Sequence, residues 1–385
     1  MRDVSIIGIG QTAVGEHWET GLRDLALGAV RAALADAALD AVDALYVGNA
    51  LGGAISGQQH LGALIADFVG WRGVEAYTVE AADASGGAAL HTGWMAVASG
   101  AADLVMVLGV EKMTDLVGPA RMAAQTNLLD ADYEAVQGAT PVALAALLMR
   151  MYMEAYGLTV EQFEGFSINA HANASKNAFA MYRNVLKPGG FATAPVVAPP
   201  VNLFDGAPDG DGAAAVILAP AERALDMTPQ PIRILGSAVA TDATALHDRS
   251  DPLFLVAANL SAGRAYAQAG IGPGDVDLFE LHDSFTVLSA LSLEACGFAE
   301  RGRGWSLAAQ GEIGLGGRVP ISTFGGLKAR GNPLGATGVY QAVEATLQLR
   351  GQAGENQVPQ AHVALLQNLG GLGGTAVTHV LARME

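Results

Sequence analysis

Apolar and polar positions along the first 115 residues follow the pattern of strands that alternate with amphipathic helices. The segment VSIIGIG is an apolar run typical of a buried strand, and apolar side chains then recur from Leu22 to Ala33 at helical spacing. Three more apolar runs predict strands: VDALYVGNAL, EAYTVEAA and ADLVMVLGVEKM. This alternation predicts an α/β protein with a mostly parallel sheet that is covered by helices on both faces.

A second pass through the same order of elements begins near residue 231. The stretches ALDAVDALYVGNA and GIGPGDVDLFELHDS both predict a helix end, an acidic turn and a strand. We infer an internal duplication into an N-terminal half, residues 1–225, and a C-terminal half, residues 226–385. The carboxyl ends of the strands in both halves are expected to face one cleft.

Residues 116–200 do not fit this repeat. They hold Met-rich helical sequence, which includes Met149, Met151 and Met153, and then the Pro-rich segment LKPGGFATAPVVAPPVNLFDG. The pattern predicts an insertion within the N-terminal half that forms a lid over the cleft. The methionines are expected to pack in the core of this lid, where their flexible side chains also suit an acyl chain.

Charge and composition exclude several classes of function. The formal net charge of −17 argues against nucleic acid or an anionic membrane as a main partner. No apolar run approaches the roughly 18 residues of a membrane span, and the N-terminus lacks the pattern of a signal peptide, so a cytoplasmic protein is expected. The single cysteine, Cys296, excludes an intramolecular disulfide and a cysteine-based metal cluster, and no metal site is predicted.

The segment TVEAADASGGAALHTG predicts a strand, a sharp turn of small residues and a helix. Such an elbow presents one side chain, here Asp83, at the start of a helix. One interpretation is an N-cap, which contributes roughly 1 kcal/mol. The other is a general base, or a fixed charge, in a dry cleft; the helix dipole would lower the pKa of this carboxyl group and burial would raise it.

Four blocks in fixed order, and a fifth near the end, span the chain: TVEAADASGGAAL, APDGDGAAAVILA, ELHDSF, GGLKARGNPLGATGVYQ and QNLGGLGGTAV. Together they resemble the thiolase superfamily, especially its sterol-carrier-protein-like and archaeal-type branch. The resemblance implies a duplicated, five-layered α-β-α-β-α fold with an inserted loop domain that binds coenzyme A. It also implies a homodimer or tetramer.

The resemblance extends only in part to the reactive groups. Thiolases carry a nucleophilic cysteine at the elbow, where this chain has Asp83, and an activating histidine where it has Asn332. Many members of the branch have a second cysteine where this chain has Ser284. His282 matches a residue that helps to hold the thioester oxygen, and the backbone amides of Asp83 and Gly370 match the other oxyanion hole.

Several of these residues also have structural interpretations. His282 could be a satisfied core histidine, Ser284 a helix cap and Asp283 a turn residue. Asn332 is interpreted as a neutral hydrogen-bond donor to a substrate oxygen. Tyr340 is expected to pack rather than to act as an acid.

The glycine-rich block that contains Asn332 is expected to form a wall of the cleft. Lys328 and Arg330 are candidate partners for a phosphate or carboxylate group, and Gly331 lets the backbone approach a ligand. A third interpretation makes Cys296 the nucleophile, but its apolar neighbours favour a buried, inert thiol. The remaining histidines show no partner pattern.

Two classes of function follow. The first is an enzyme that makes or breaks a C–C bond of a coenzyme A thioester without a covalent acyl-enzyme, as the family's aldolases do on β-hydroxyacyl thioesters. This chemistry needs a base for the β-hydroxyl group and an oxyanion hole, which Asp83, His282 and the two amides are expected to supply. The second is an inactive homologue that binds a coenzyme A thioester or acts as a scaffold. The resemblance suggests a small OB-fold partner with a zinc ribbon, and coenzyme A as substrate or ligand rather than a permanently bound cofactor.

Overall fold

The computed structural model describes residues 1–384. Most of its β-strands form one large mixed sheet, and the described strands are β1 (Val4–Gln11), β2 (Ala44–Gly48), β3 (Glu75–Val79), β4 (Val105–Glu111), β5 (Val196–Ala198), β6 (Val201–Asn202), β7 (Gly212–Pro220), β8 (Ile232–Thr241), β9 (Leu278–Glu280), β10 (Val363–Gly370) and β11 (Thr375–Arg383). The α-helices are α1 (Leu22–Ala37), α2 (Gly52–Ile55), α3 (Leu61–Val69), α4 (Ser85–Ser99), α5 (Pro119–Gln125), α6 (Pro141–Tyr156), α7 (Glu164–Ala174), α8 (Ala221–Met227), α9 (Val256–Ala269), α10 (Thr286–Ala295), α11 (Gly304–Ala309) and α12 (Thr337–Leu349).

The order of the strands repeats between the two halves. The large sheet runs β3-β2-β4-β7-β1-β8-β11-β10-β9, so that each half places its first strand, β1 or β8, at the junction. An isolated parallel bridge between Phe279 and Ile321 stands beside β9 where β3 stands beside β2. The internal duplication is therefore visible in the topology. The boundary near residue 225 falls inside α8 and stays a prediction.

The expectation of a mostly parallel sheet is wrong. Among the described residues, five neighbouring pairs in the large sheet are antiparallel and three are parallel. The parallel pairs lie at the two outer ends of the sheet, where helices connect the strands. The central strands are connected by a tight turn between β10 and β11 and by the long insertion between β4 and β7. The alternation of apolar runs in the sequence does not distinguish these connections from helical crossovers, which would make the strands parallel.

Helices α4 and α12 lie between the two halves, and α1 and α9 cover the outer faces, which gives the five layers of the expected fold. The central helices cross at glycines because the backbones approach closely there. A Cβ atom on Gly338 would lie 2.2 Å from the backbone nitrogen of Gly87, and one on Gly86 would lie 2.8 Å from the carbonyl oxygen of Gly335. The elbow before α4 is thereby held against the glycine-rich block before α12.

The insertion folds over one end of the sheet. Helix α7 packs on the turn formed by residues 326–330, and α6 packs on α10. Met149 is fully buried, whereas Met151 is 40% exposed, so the methionines contribute only in part to the core of the lid. Within residues 1–384, no helix is both long and apolar enough to cross a membrane.

Candidate functional site

A cavity of about 600 Å³ lies between the insertion and the carboxyl ends of the strands. Four of the predicted site residues line it: Asp83, Ser284, Lys328 and Asn332. The insertion supplies an apolar wall that includes Met122, Leu129, Val142, Tyr182, Val185, Leu186 and Val197. His282, Gly370, Arg330 and Gly331 are not among the residues that line this cavity.

The elbow is held by its own small residues. Ala82 adopts a positive φ of 53°, and the hydroxyl group of Ser85 donates to the carbonyl oxygen of Ala82 and accepts from the amide of Ala81. Helix α4 begins at Ser85 with Ala84 as its N-cap, and no side chain caps it. The interpretation of Asp83 as a helix cap is therefore wrong, because the turn places this residue before the capping position.

The carboxylate of Asp83 is buried and contacts the other half of the protein. Its Oδ2 accepts a hydrogen bond of 3.0 Å from the backbone N–H of Gly371. The pKa of Asp83 is raised to about 6, mainly by burial and to a smaller extent by the nearby carboxylates of Asp209 and Glu80, while the hydrogen bond from the Gly371 amide opposes the shift. Asp83 is therefore mostly ionised at neutral pH, but it can exchange a proton near that pH.

His282 is fully buried and has a defined tautomer. Asn368 accepts from the amide of Gly87 through Oδ1, so its Nδ2 must donate to Nδ1 of His282, at 3.0 Å. Burial, together with the charge of Arg330, lowers the pKa of His282 to about 3. The ring is therefore neutral with its proton on Nε2, and this N–H has no partner among the described residues. An orphan buried donor of this kind can serve a developing negative charge.

Asn332 and Ser284 lie on the same cavity wall. The side-chain oxygen of Asn332 accepts a hydrogen bond of 3.0 Å from the hydroxyl group of Thr337, which leaves the NH₂ group available to a ligand. Helix α10 begins at Thr286 with Phe285 as its N-cap, so the interpretation of Ser284 as a helix cap is wrong. Ser284 lines the cavity instead.

Lys328 and Arg330 are separated by the turn that carries them. Lys328 lines the cavity, and its ammonium group donates to the carbonyl oxygen of Asp205; burial lowers its pKa. Arg330 is fully buried. Its Nε atom lies 3.4 Å from Oε1 of Glu344, and its guanidinium carbon lies 4.6 Å from the ring centroid of Tyr340. The placement of Arg330 does not support its predicted contact with a substrate, because its charge is directed into the core.

Three other residues have structural surroundings. Gly331 has a φ of 108°, and a Cβ atom there would lie 2.6 Å from Cγ1 of Val14, so it serves backbone packing. The hydroxyl group of Tyr340 donates to the carbonyl oxygen of Thr12 at 2.9 Å within the core, as the packing interpretation expects. Cys296 is buried away from the cavity, and burial raises its pKa to about 12. It therefore has the environment of an inert thiol.

Two residues that line the cavity were not predicted from the sequence. Asp209, on the wall beside Asn332, is held by Arg121 and Gln125, and burial raises its pKa. The aspartates of the APDGDG block were a signal for it. His171, on α7, is 6% exposed and also lines the cavity. A lone histidine in helical sequence gave no signal.

Within residues 1–384, no group of three or more His, Cys, Asp or Glu is arranged to hold a metal ion.

Comparison with known proteins agrees with this architecture. The family described as the N-terminal domain of thiolase matches residues 4–187, and the thiolase C-terminal domain-like family matches residues 238–383. An acetyl-CoA acetyltransferase of Methanothermobacter thermautotrophicus is 43% identical over 100% of both chains. Sterol carrier protein 2 of Oryctolagus cuniculus is 31% identical over 97% of this chain and 71% of that protein. A solved Ltp2-ChsH2(DUF35) aldolase superposes with a TM-score of 0.85 at 26% identity, over 99% of this chain and 97% of its own. The chain therefore belongs to the thiolase superfamily.

Proposed function

We propose that this protein acts on the C–C bond of a coenzyme A thioester by an aldol or retro-aldol reaction, without a covalent acyl-enzyme. The observation that carries the proposal is the carboxylate of Asp83, which stands at the elbow and opens into the cavity of about 600 Å³. The only cysteine of the chain, Cys296, is buried outside that cavity. A carboxylate is a poor nucleophile toward a thioester but an adequate base, which favours proton transfer over acyl transfer.

In the cleavage direction, the β-hydroxyl group loses its proton and the Cα–Cβ bond breaks. The electron pair of that bond goes to the thioester enolate, a carbonyl product leaves and Cα gains a proton. Asp83 stands where the family's nucleophile meets the thioester, and so is assigned to proton transfer at the reacting carbons. The resemblance to the family assigns the Nε2–H of His282 and the amides of Asp83 and Gly370 to the enolate oxygen, although His282 and Gly370 are not among the residues that line the cavity.

The relatives support both the substrate class and the reaction. One is an acetyl-CoA acetyltransferase, and the solved structure with 26% identity is an aldolase. The name of that aldolase includes a second component, ChsH2(DUF35), which supports our proposal of a partner protein; a small OB-fold protein with a zinc ribbon is the partner that the resemblance suggests. A homodimer is also proposed, because β3 is an end strand of the sheet and large apolar side chains are exposed on β3 and on the helix α3 that packs against it, with Tyr77 at 42% and Phe68 at 40%.

A non-catalytic role is the second candidate. In this case the protein binds a coenzyme A thioester or organises a partner enzyme. The observation that favours it is the neutral amide of Asn332, which is engaged with Thr337 and cannot take up a proton at neutral pH.

The deciding experiment incubates the purified protein, with and without its partner, with β-hydroxyacyl and β-ketoacyl thioesters and follows the products by mass spectrometry. Cleavage of the hydroxy compound that survives Cys296→Ala and is lost in Asp83→Ala supports the aldol reaction. Tight thioester binding without turnover supports the second candidate. Thiolysis of the keto compound at ordinary thiolase rates would contradict both.

A further inference from the structure

Besides the residues of the elbow, the cavity holds a second polar pair, one member of which lies on the insertion. His171 and Lys328 both line the cavity, and they are 6% and 3% exposed. Both reach the same cavity because the chain that follows α7 pairs with the turn that carries Lys328: the amides of Met181 and Tyr182 donate to the carbonyl oxygens of Arg330 and Ala329, both at 3.0 Å.

The tautomer of His171 follows from its partner. Nδ1 lies 3.0 Å from the backbone carbonyl oxygen of Asn184, which can only accept, so Nδ1 carries the proton. The ring packs edge-on against Phe204, at 5.7 Å between centroids and 90° between planes. Burial lowers the pKa of His171, and the charge of Lys328 lowers it further, so the ring is neutral at physiological pH. Nε2 is left as a hydrogen-bond acceptor without a protein partner in the described chain.

Lys328 supplies the complementary group. Its ammonium group has three N–H donors, of which one is directed to the carbonyl oxygen of Asp205. An acceptor on His171 beside donors on Lys328 matches a hydroxyl group, which donates one hydrogen bond and accepts another. A carboxylate would meet the lone pair of His171, and an alkyl chain would leave both buried groups unpaired.

We propose that His171 and Lys328 form a binding site for the β-hydroxyl group of the acyl chain, with the hydroxyl proton directed to Nε2 of His171 and the oxygen held by Lys328. This inference rests on the proposed function and names its substrate as a β-hydroxyacyl thioester. It moves the role of base for the β-hydroxyl group, which the sequence analysis gave to Asp83, to His171. Asp83 then serves Cα.

The proton balance of the cleavage step closes with these two groups. Nε2 of His171 takes the hydroxyl proton as the Cα–Cβ bond breaks, and the carboxyl form of Asp83 gives a proton to the enolate at Cα. Solvent water then accepts the proton of the imidazolium and reloads Asp83. The ammonium group of Lys328 favours the loss of the hydroxyl proton because it stabilises the developing alkoxide.

The test compares 3-hydroxyhexanoyl-CoA with hexanoyl-CoA by isothermal titration calorimetry. We expect the wild-type protein to prefer the hydroxy compound by about five- to a hundredfold, because the deoxy compound leaves two buried groups unpaired. His171→Leu and Lys328→Met should reduce this preference to less than about threefold. Asn184→Ala is the matched control: it also alters the cavity wall, but it retains the carbonyl group that orients His171, so the preference should persist. Circular dichroism verifies that each variant is folded.

A wild-type protein that does not discriminate, or a folded His171→Leu variant that still does, would overturn the proposal. Binding and turnover separate this inference from the proposed function. Discrimination without any C–C cleavage would support the hydroxyl site and count against the aldol reaction. Cleavage that is unchanged in His171→Leu would support the aldol reaction and refute the role of His171.

Discussion

Replacing Asp83 by Asn should stabilise the protein at neutral pH, although it removes a proposed catalytic residue. The pKa of Asp83 is raised from 3.8 to about 6 in the folded protein. Because the charged form is disfavoured by the fold, the folded state loses stability as the pH rises through the two pKa values. The shift of about two pH units corresponds to about 3 kcal/mol when the group is fully ionised. Asn avoids this cost and can still accept from Gly371 through its side-chain oxygen.

The pH dependence gives this prediction its sign. Linkage predicts that Asp83→Asn gains about 3 kcal/mol at pH 8 and only about 1 kcal/mol at pH 4.5, where the folded carboxyl group is already protonated. Urea unfolding followed by tryptophan fluorescence at both pH values measures the difference. Asp226→Asn, on the exposed face of α8, is the control and should change stability by less than about 0.5 kcal/mol at either pH. A gain that is larger at pH 4.5, or a loss at both pH values, would refute the burial argument.

Three further predictions follow. The first concerns exchange of the Cα proton of acetyl-CoA for deuterium, which is measured by mass spectrometry. The exchange rate should rise as the pH rises through about 6 and should vanish in Asp83→Asn, because the carboxylate form is the base. An exchange rate that is flat across this pH range would exclude Asp83 as that base. Glu344→Gln should cost less than about 1 kcal/mol in urea unfolding at pH 6, because burial raises the pKa of Glu344 to about 8 and Glu280 still faces Arg330 in the variant; a cost of about 3–5 kcal/mol would instead indicate an ionised pair with Arg330. Gly338→Ala should destabilise the protein by more than about 1 kcal/mol, because the added Cβ atom clashes with Gly87. Its control, Gly263→Ala, lies at an open position of α9 and should stabilise the protein by about 0.5–1 kcal/mol. Equal effects of the two variants on the melting temperature would contradict the close helix crossing.

The duplicated fold could be predicted from the sequence because its evidence is local and repeated. Apolar runs, acidic turns and glycine-rich starts of helices recur in both halves, and the observed strand orders match. Strand direction could not be predicted in the same way. Whether β7 returns antiparallel to β4 depends on the path of the insertion between them, and apolar periodicity carries no information about that path.

Site residues that a local backbone motif presents could be predicted from the sequence, whereas site residues that tertiary packing brings to the cavity were missed. Asp83 was found because a small-residue turn presents it, and Asn332 was found because its glycine-rich block resembles that of the thiolase superfamily. Arg330 was misjudged because positions two residues apart in one turn face opposite sides: Lys328 lines the cavity, whereas Arg330 faces Glu344. His171 was missed because only the folded chain brings the carbonyl group of Asn184 and the charge of Lys328 to a helix that is unremarkable in sequence.

The energetics of the elbow favour an enzyme over a scaffold. A capping role does not explain Asp83, because the side chain caps no helix, and its single backbone hydrogen bond with Gly371 could be accepted equally well by a neutral Asn. The charge of Asp83 destabilises the folded protein, and substitution by Asn would restore that stability. Proteins retain destabilising groups of this kind at sites where the group performs chemistry. A binding subunit needs only the walls of the cavity, which an uncharged residue would line at lower cost. The buried carboxylate, the neutral His171 and the orphan N–H of His282 therefore support a working proton-transfer site better than a site that only holds a ligand.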